Sequence, residues 1–190
     1  MGNKPVMEPN AWLPLRAVLF DRDGTLVRDV PYNGQPDRVE PMPQAREVLH
    51  YLRSRGLATG VLSNQSGIGR GILTREQVAA VNGRIEQLLG PFDLWEICPH
   101  RDEDGCDCRK PAPGLLRRAC RRLQIAPAEA VYIGDIGSDI DAASAAGVRG
   151  VMVPTELTLA AEVDAAPEVA RDLRSAIDLV LTAAAGTGAS

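Results

Sequence analysis

Short apolar runs alternate along the chain with longer stretches whose apolar residues recur every third or fourth position. Ala17-Val18-Leu19-Phe20 is too short an apolar run for a helix and predicts a buried strand. Similar runs at 58–62, 94–98, 131–133 and 148–153 predict four more. Between them, 44–55 reads as a helix with Ala45, Val48, Leu49 and Leu52 on one face and Gly56 as its stop. Thr74-Arg75-Glu76-Gln77 has capping-box spacing and opens a helix to Leu89, ended by Gly90-Pro91. Pro113 and Gly114 precede a further helix through Leu123, and Pro127 opens a short turn. Ser138 is expected to cap a helix over 139–146, closed by Gly147. After Pro154 the chain becomes alanine-rich, with a last helix expected over 173–181 and a frayed end at 186–190.

Strands alternating with helices imply an α/β, Rossmann-like parallel sheet covered on both faces. A length of 190 residues suits one domain, taken as 1–190 with its core at about 16–182. No internal repeat or interdomain linker is visible. The least regular segments are 28–43 and 99–113, and long loops inside a compact domain are more often functional than idle.

Composition narrows the function classes. Hydrophobic residues at 45% and charged residues at 24% are ordinary for a soluble globular chain. A net charge of −4 argues against nucleic acid, whose binding relies on a basic face, and 4% aromatics leave little for base stacking. No apolar run approaches the ~20 residues that span a bilayer, and residues 1–15 lack an apolar signal core. The expectation is a cytoplasmic monomer without membrane or nucleic-acid partners.

In open parallel sheets ligands bind beyond the carboxyl ends of the strands, so the residues that follow each predicted strand are the informative ones. These are Asp21-Arg22-Asp23-Gly24-Thr25, then Ser63-Asn64-Gln65-Ser66-Gly67, then a cysteine loop ending in Arg109-Lys110-Pro111, then Gly134-Asp135 with Asp139 beyond. Carboxylates, a hydroxyl, a lysine and glycines thus converge on one rim. An aspartate such as Asp21 can attack phosphorus to form an acyl phosphate that water later cleaves. Asp21 and Asp135 can share a hard cation such as Mg²⁺. Asp23 can act as acid and then base toward the leaving oxygen. Ser63 and Lys110 can donate to phosphoryl oxygens as charge builds. Each fragment alone also fits a turn, a helix cap or a surface lysine; their order behind successive strands favours the site.

With these residues in place, the sequence resembles the haloacid dehalogenase superfamily of phosphatases. The motifs are Val18-Leu19-Phe20-Asp21-Arg22-Asp23-Gly24-Thr25, Leu62-Ser63-Asn64, Lys110 and Ile133-Gly134-Asp135 with Asp139. The resemblance implies a nucleophile at Asp21, an acid/base at Asp23, phosphate contacts at Ser63 and Lys110, and Mg²⁺ on Asp21, the Asp23 carbonyl and Asp135, with Asp139 as support. Too few residues separate the early motifs for a cap domain, so an open cleft is expected. Within the superfamily, Asn64 through Gly71 together with Cys98-Pro99-His100 and Cys106 through Pro111 looks like the capless D-glycero-D-manno-heptose-1,7-bisphosphate 7-phosphatases. That likeness implies substrate contacts at Asp29, Val30, Pro31, Tyr32, Ser63, Asn64, Gln65, Ser66, Arg109 and Lys110, with Arg109 toward a distal phosphate. Only 101–105 separate His100 from Cys106, which is closer to the related histidinol-phosphate phosphatases. Ile136 stands where many relatives carry lysine.

Cys98, His100, Cys106 and Cys108 supply four soft or borderline ligands, enough for a closed and therefore structural Zn²⁺ site. A Cys106–Cys108 redox pair is the competing reading, but it gives His100 no purpose. Cys120 falls on a predicted helix and reads as core, while Arg117, Arg118, Arg121 and Arg122 read as a surface face. The expected activity is Mg²⁺-dependent hydrolysis of a small sugar phosphate through an aspartyl phosphate, with heptose 1,7-bisphosphate as first choice. The alternatives are histidinol phosphate as substrate, or a receiver-like switch that merely holds a phosphoaspartate. A switch has no need of a leaving-group acid at Asp23.

Overall fold

The computed structural model describes residues 15–185, so the expectations for 1–14 and 186–190 lie outside it. The elements are β1 (Ala17–Phe20), α1 (Ala45–Ser54), β2 (Ala58–Asn64), α2 (Ser66–Gly69), α3 (Arg75–Leu89), β3 (Leu94–Cys98), α4 (Gly114–Leu123), β4 (Ala130–Gly134), α5 (Gly137–Ala146), β5 (Arg149–Met152), α6 (Ala160–Ala165) and α7 (Leu173–Ala185). All strand pairs are parallel, in the order β3-β2-β1-β4-β5. Ala17 is in register with Ala58 on one side and Ala130 on the other, so β1 is central.

Side chains alternate across a strand, and the core divides accordingly. Val18, Phe20, Val61, Val131 and Ile133 face the layer of α1, α3 and α7. Ala17, Leu19, Leu62, Ala130 and Tyr132 face the layer of α4 and α5. Burial on both faces explains why the strands read as continuous apolar runs rather than alternating ones. The chain steps outward from β1 through β2 to β3, then returns to the other side of β1 for β4 and β5. That reversal opens a crevice beyond the ends of β1 and β4, where such folds place their ligands.

The five strands and the longer helices follow the hydrophobic pattern; the departures are local. The Thr74 hydroxyl accepts from the Gln77 amide and the Gln77 side chain answers the Thr74 amide, as the capping box predicts. Ser138 is not a cap. α5 starts at Gly137 behind Ile136 with no cap bond from Ser138, and the carboxylate that reaches back to the free amides is that of Asp139. The short helices α2 and α6 have too few residues to show a period. Between β1 and α1 the described chain holds only a 3-10 turn at Pro36–Arg38 and isolated bridges that tie Val27 to Asp23 and Pro41. Among the described residues no helix is long and apolar enough to cross a membrane.

Leu49 is fully buried between α1 and the sheet. Leu49→Ala is expected to cost about 2–5 kcal/mol of unfolding free energy by urea titration; a loss below about 1 kcal/mol would remove it from the core.

Candidate active site

The crevice holds Asp21 and Asp135 because the ladder carries one residue past the ends of the strands. The Asp21 amide donates to the Ile133 carbonyl at 2.8 Å, which fixes the residue after β1 against β4. Gly24, at φ +81°, turns the chain beneath them, and a Cβ there would overlap the Asp135 carboxylate. Glycine is required on both counts. Thr25 Oγ1 donates to Asp135 Oδ1 at 3.4 Å.

Asp21, Asp135 and Asp139 bring carboxylate oxygens within 4.8 Å of one another, all buried. Lys110 enters this group from the cysteine loop. Its Nζ lies 2.5 Å from Asp21 Oδ1 and 2.7 Å from Asp139 Oδ1, and donates to Tyr132 Oη at 2.9 Å. Asn64 positions the lysine: its side-chain amide donates to the Lys110 carbonyl and accepts from the Lys110 amide, both at 3.1 Å. Burial pushes the Asp21 carboxyl well above its ordinary range; Lys110 opposes, and Asp139, Asp135 and Asp23 add to the rise. Burial and then Asp139 push Asp135 up to about 7 against the pull of Lys110. For Lys110 burial disfavours the charge, but Asp139 and Asp21 outweigh it, and its ammonium is held above the usual lysine range. One cation among three carboxylates leaves an excess of negative charge and hard oxygen donors in a cradle that Gly24 keeps open, which suits a divalent oxygen-seeking ion.

Asp23 is outside that carboxylate group. Its Oδ2 accepts from Arg22 Nε at 2.9 Å and Gln65 Nε2 at 3.0 Å, and Gln65 Nε2 also donates to Ser63 Oγ at 2.8 Å. Arg22 is almost fully buried and extends to Asn82 on α3 at 2.9 Å. The acid/base and phosphate-contact candidates are therefore joined through Gln65. A cleft of about 380 Å³ lies above, with Asp29, Val30, Pro31 and Tyr32 on one wall and Ser63, Asn64, Gln65 and Ser66 on another. Burial, then the neighbouring Asp23, raises the Asp29 carboxyl. Arg109 does not line this cleft. It borders an adjoining groove of about 620 Å³ that shares Asn64, Ser66, Lys110 and Ile136 with the cleft. Arg109 pairs with Asp102, and its Nη1 is buried without a partner.

Cys98, His100, Cys106 and Cys108 converge at the base of the same loop. Their sulfur and Nδ1 atoms are 3.3–3.7 Å apart in the five contacts they make, and all the sulfurs are free thiols. Tetrahedral ligands about 2.3 Å from Zn²⁺ would be about 3.8 Å apart, so the cage is near the size a zinc ion needs. The Arg109 amide donates to Cys106 Sγ at 3.3 Å, which ties the cage directly to the lysine segment.

Comparisons with known proteins give the family. A family model described as haloacid dehalogenase-like hydrolase matches residues 28–147. The chain belongs to the haloacid dehalogenase-like hydrolases. Among curated relatives, the D-glycero-beta-D-manno-heptose-1,7-bisphosphate 7-phosphatase of Haemophilus ducreyi is 33% identical over 87% of this chain and 96% of its own. The protein of the same name from Pseudomonas aeruginosa is 34% identical over 73% and 80%. Among solved structures, the D,D-heptose 1,7-bisphosphate phosphatase of B. bronchiseptica, complexed with magnesium and phosphate, matches with TM-score 0.76 and 26% identity over 88% of this chain and 99% of that one. A putative HAD-like phosphatase from Mesorhizobium loti matches with TM-score 0.75 and 31% identity over 93% and 88%.

In this haloacid dehalogenase-like hydrolase Asp21, Asp23, Ser63, Lys110 and Asp135 line one cleft, and four residues that the sequence reading passed over lie beside them. Tyr132 sits under Lys110, Arg22 donates to Asp23 and to Asn82, and Leu157 reaches the cleft from beyond β5. A tyrosine inside an otherwise apolar strand and an arginine between two aspartates were the available signals; Leu157 gave none.

The raised carboxyls set a sign for pH. Between about pH 4 and about pH 7 the unfolded chain has released protons that the folded chain still holds on Asp21 and Asp135, so stability falls as pH rises through that window. The metal-free protein is expected to melt at lower temperature at about pH 7.5 than at about pH 5, with Asp135→Asn flattening the decline and millimolar Mg²⁺ stabilising more at the higher pH. Equal slopes in the wild type and the variant would remove Asp135 as the cause.

Proposed function

We propose that this chain is a Mg²⁺-dependent phosphatase that hydrolyses the phosphate monoester of a small sugar phosphate through an aspartyl phosphate on Asp21. The observation that carries it is the buried Lys110 ammonium joining Asp21 to Asp139 at the β1–β4 crevice, beside Asp135 and within the cleft that Asp23 also lines. The proposal takes the catalytic unit as one domain with its core at about 16–182, acting as a cytoplasmic monomer, a reading supported by its ordinary acidic composition.

Asp21, Asp135 and the Asp23 carbonyl would hold Mg²⁺, which when bound offsets the negative charge of carboxylates and phosphate together. An oxygen of Asp21 attacks phosphorus while the bond from phosphorus to the ester oxygen breaks. Asp23 gives its proton to that leaving oxygen. Its carboxylate then takes a proton from water, whose oxygen attacks phosphorus and breaks the bond to Asp21, releasing phosphate and restoring the nucleophile. Lys110 and Ser63 donate to the phosphoryl oxygens as their charge grows. Gln65 fixes the distance between Ser63 and Asp23, so the donor and the acid keep one spacing through both halves.

The favoured substrate is D-glycero-D-manno-heptose 1,7-bisphosphate, converted to the 1-phosphate. Support comes from the names of the relatives at 33–34% identity and from Arg109, which borders the groove beside the cleft where a distal phosphate would rest. The short stretch between His100 and Cys106 favours histidinol phosphate as the second reading. Phosphate release in Mg²⁺ from the two substrates decides between them; a higher kcat/KM on histidinol phosphate would overturn the first choice. Asp23→Asn is expected to lower turnover by about 10²–10⁴-fold. Unimpaired hydrolysis by that variant would remove Asp23 as the acid, and a protein that takes up phosphate without releasing it would be a switch instead.

Zn²⁺ on Cys98, His100, Cys106 and Cys108 would hold the loop that carries Arg109 and Lys110, without an open position for chemistry. One zinc per chain is expected by elemental analysis. Chelation should lower both the melting temperature and kcat in a way that added Mg²⁺ does not restore. A zinc-free protein with full activity would refute the structural role.

A further inference from the structure

The floor of the cleft is charged, but part of its mouth is apolar. Tyr32, Ile136 and Leu157 line it and are 48%, 39% and 72% exposed, three of the seven large apolar side chains exposed among the described residues. Single exposed apolar residues need no explanation. Three that arrive from separate segments at one opening do.

Each is held in place. Tyr32 has a left-handed backbone at φ +50°, a conformation that costs a non-glycine residue energy and tends to persist where function requires it. Its ring packs against Gly67, where an added Cβ would come within 2.8 Å of Tyr32 Cδ1. Leu157 sits on a turn stitched by its own threonines: the Leu157 amide donates to Thr155 Oγ1 at 3.2 Å and the Thr155 amide donates to Thr158 Oγ1 at 2.8 Å. Thr158 Oγ1 in turn donates to the Asp135 carbonyl at 2.8 Å. The turn is therefore anchored to a residue of the carboxylate group, and Ile136 is the next residue along.

We infer that Leu157 is a specificity-determining residue: with Ile136 and Tyr32 it grips an apolar face on the alcohol part of the phosphoester, next to the ester oxygen. The inference rests on the phosphatase reading and deepens it. The occupant is the substrate itself, because the apolar mouth is continuous with the cleft that holds Asp21 and Lys110. A polar floor takes the phosphate while the mouth takes carbon-bound hydrogens, such as one face of a sugar ring. An open, short polyol phosphate offers no such face and gains little from the mouth.

The test compares 2-phenylethyl phosphate, which has an apolar face, with glycerol 3-phosphate, which has none, using wild type, Leu157→Ser and Leu157→Met in Mg²⁺. Leu157→Ser is expected to lower the ratio of kcat/KM between the two substrates by about tenfold, carried by KM rather than kcat, and Leu157→Met to restore it. At 72% exposure the side chain contributes little to folding, and matching melting temperatures confirm that the variants are intact. A ratio within twofold of wild type in Leu157→Ser, or a loss carried by kcat, overturns the assignment while leaving the phosphatase reading standing. A wild-type protein that releases phosphate from neither these esters nor a sugar phosphate overturns both.

Discussion

The arrangement depends on one buried cation. Lys110 places its ammonium 2.5 Å from Asp21 and 2.7 Å from Asp139, nearly buried at the floor of the cleft. Three carboxylates crowded within 4.8 Å cannot all ionise there unaided, because desolvation and mutual repulsion both favour the protonated forms. Lys110 offsets part of that charge, and the remainder appears as carboxyls with raised affinity for protons. The same excess makes the site receptive to a divalent ion. Proton affinity in the metal-free protein and cation affinity thus have a common origin.

Holding a charged lysine in such a place needs a frame that gives it nowhere else to go, since a buried ion pair is weak evidence for stability by itself. The one ammonium hydrogen that the two carboxylates leave goes to Tyr132 Oη at 2.9 Å, with the Leu62 carbonyl 3.3 Å away. Asn64 clamps the lysine backbone from the end of β2, and the cysteine cage fixes the chain just before it. Asp139 has two tasks. One oxygen pairs with Lys110 and the other accepts from the Asp135 and Ile136 amides at the start of α5.

These relations explain what the sequence disclosed and what it did not. Strand runs, the longer helices and the four motif segments were legible because each depends on local periodicity or on residues next to a strand end. Asp21, Asp135 and Lys110 could be brought together on paper because a parallel sheet delivers strand ends to one rim. The Asp139 cap was misread as Ser138 because both residue types favour helix starts, and only burial beside Lys110 decides between them. Arg22, Asn82 and Tyr132 were overlooked for a related reason. Their roles come from contacts across 60 positions for Arg22 and Asn82 and 22 for Lys110 and Tyr132, which no local pattern encodes. Arg109, expected at the substrate, borders the groove next to the cleft, where it pairs with Asp102.

The division of labour follows from where each residue sits. Groups that move charge are buried on strand ends or clamped by them, where reorganisation is costly and geometry is kept. The outer lining of the cleft comes from loops: 28–43 supplies Tyr32, and the turn after β5 supplies Leu157. Such loops can change sequence without disturbing the sheet, because few core contacts depend on them. The two sets are nevertheless coupled, since Thr158 ties the Leu157 turn to the Asp135 carbonyl and Gln65 ties the second wall to Asp23. The loop lining of the cleft and its buried charged floor are therefore separate in sequence but linked in space, through single hydrogen bonds.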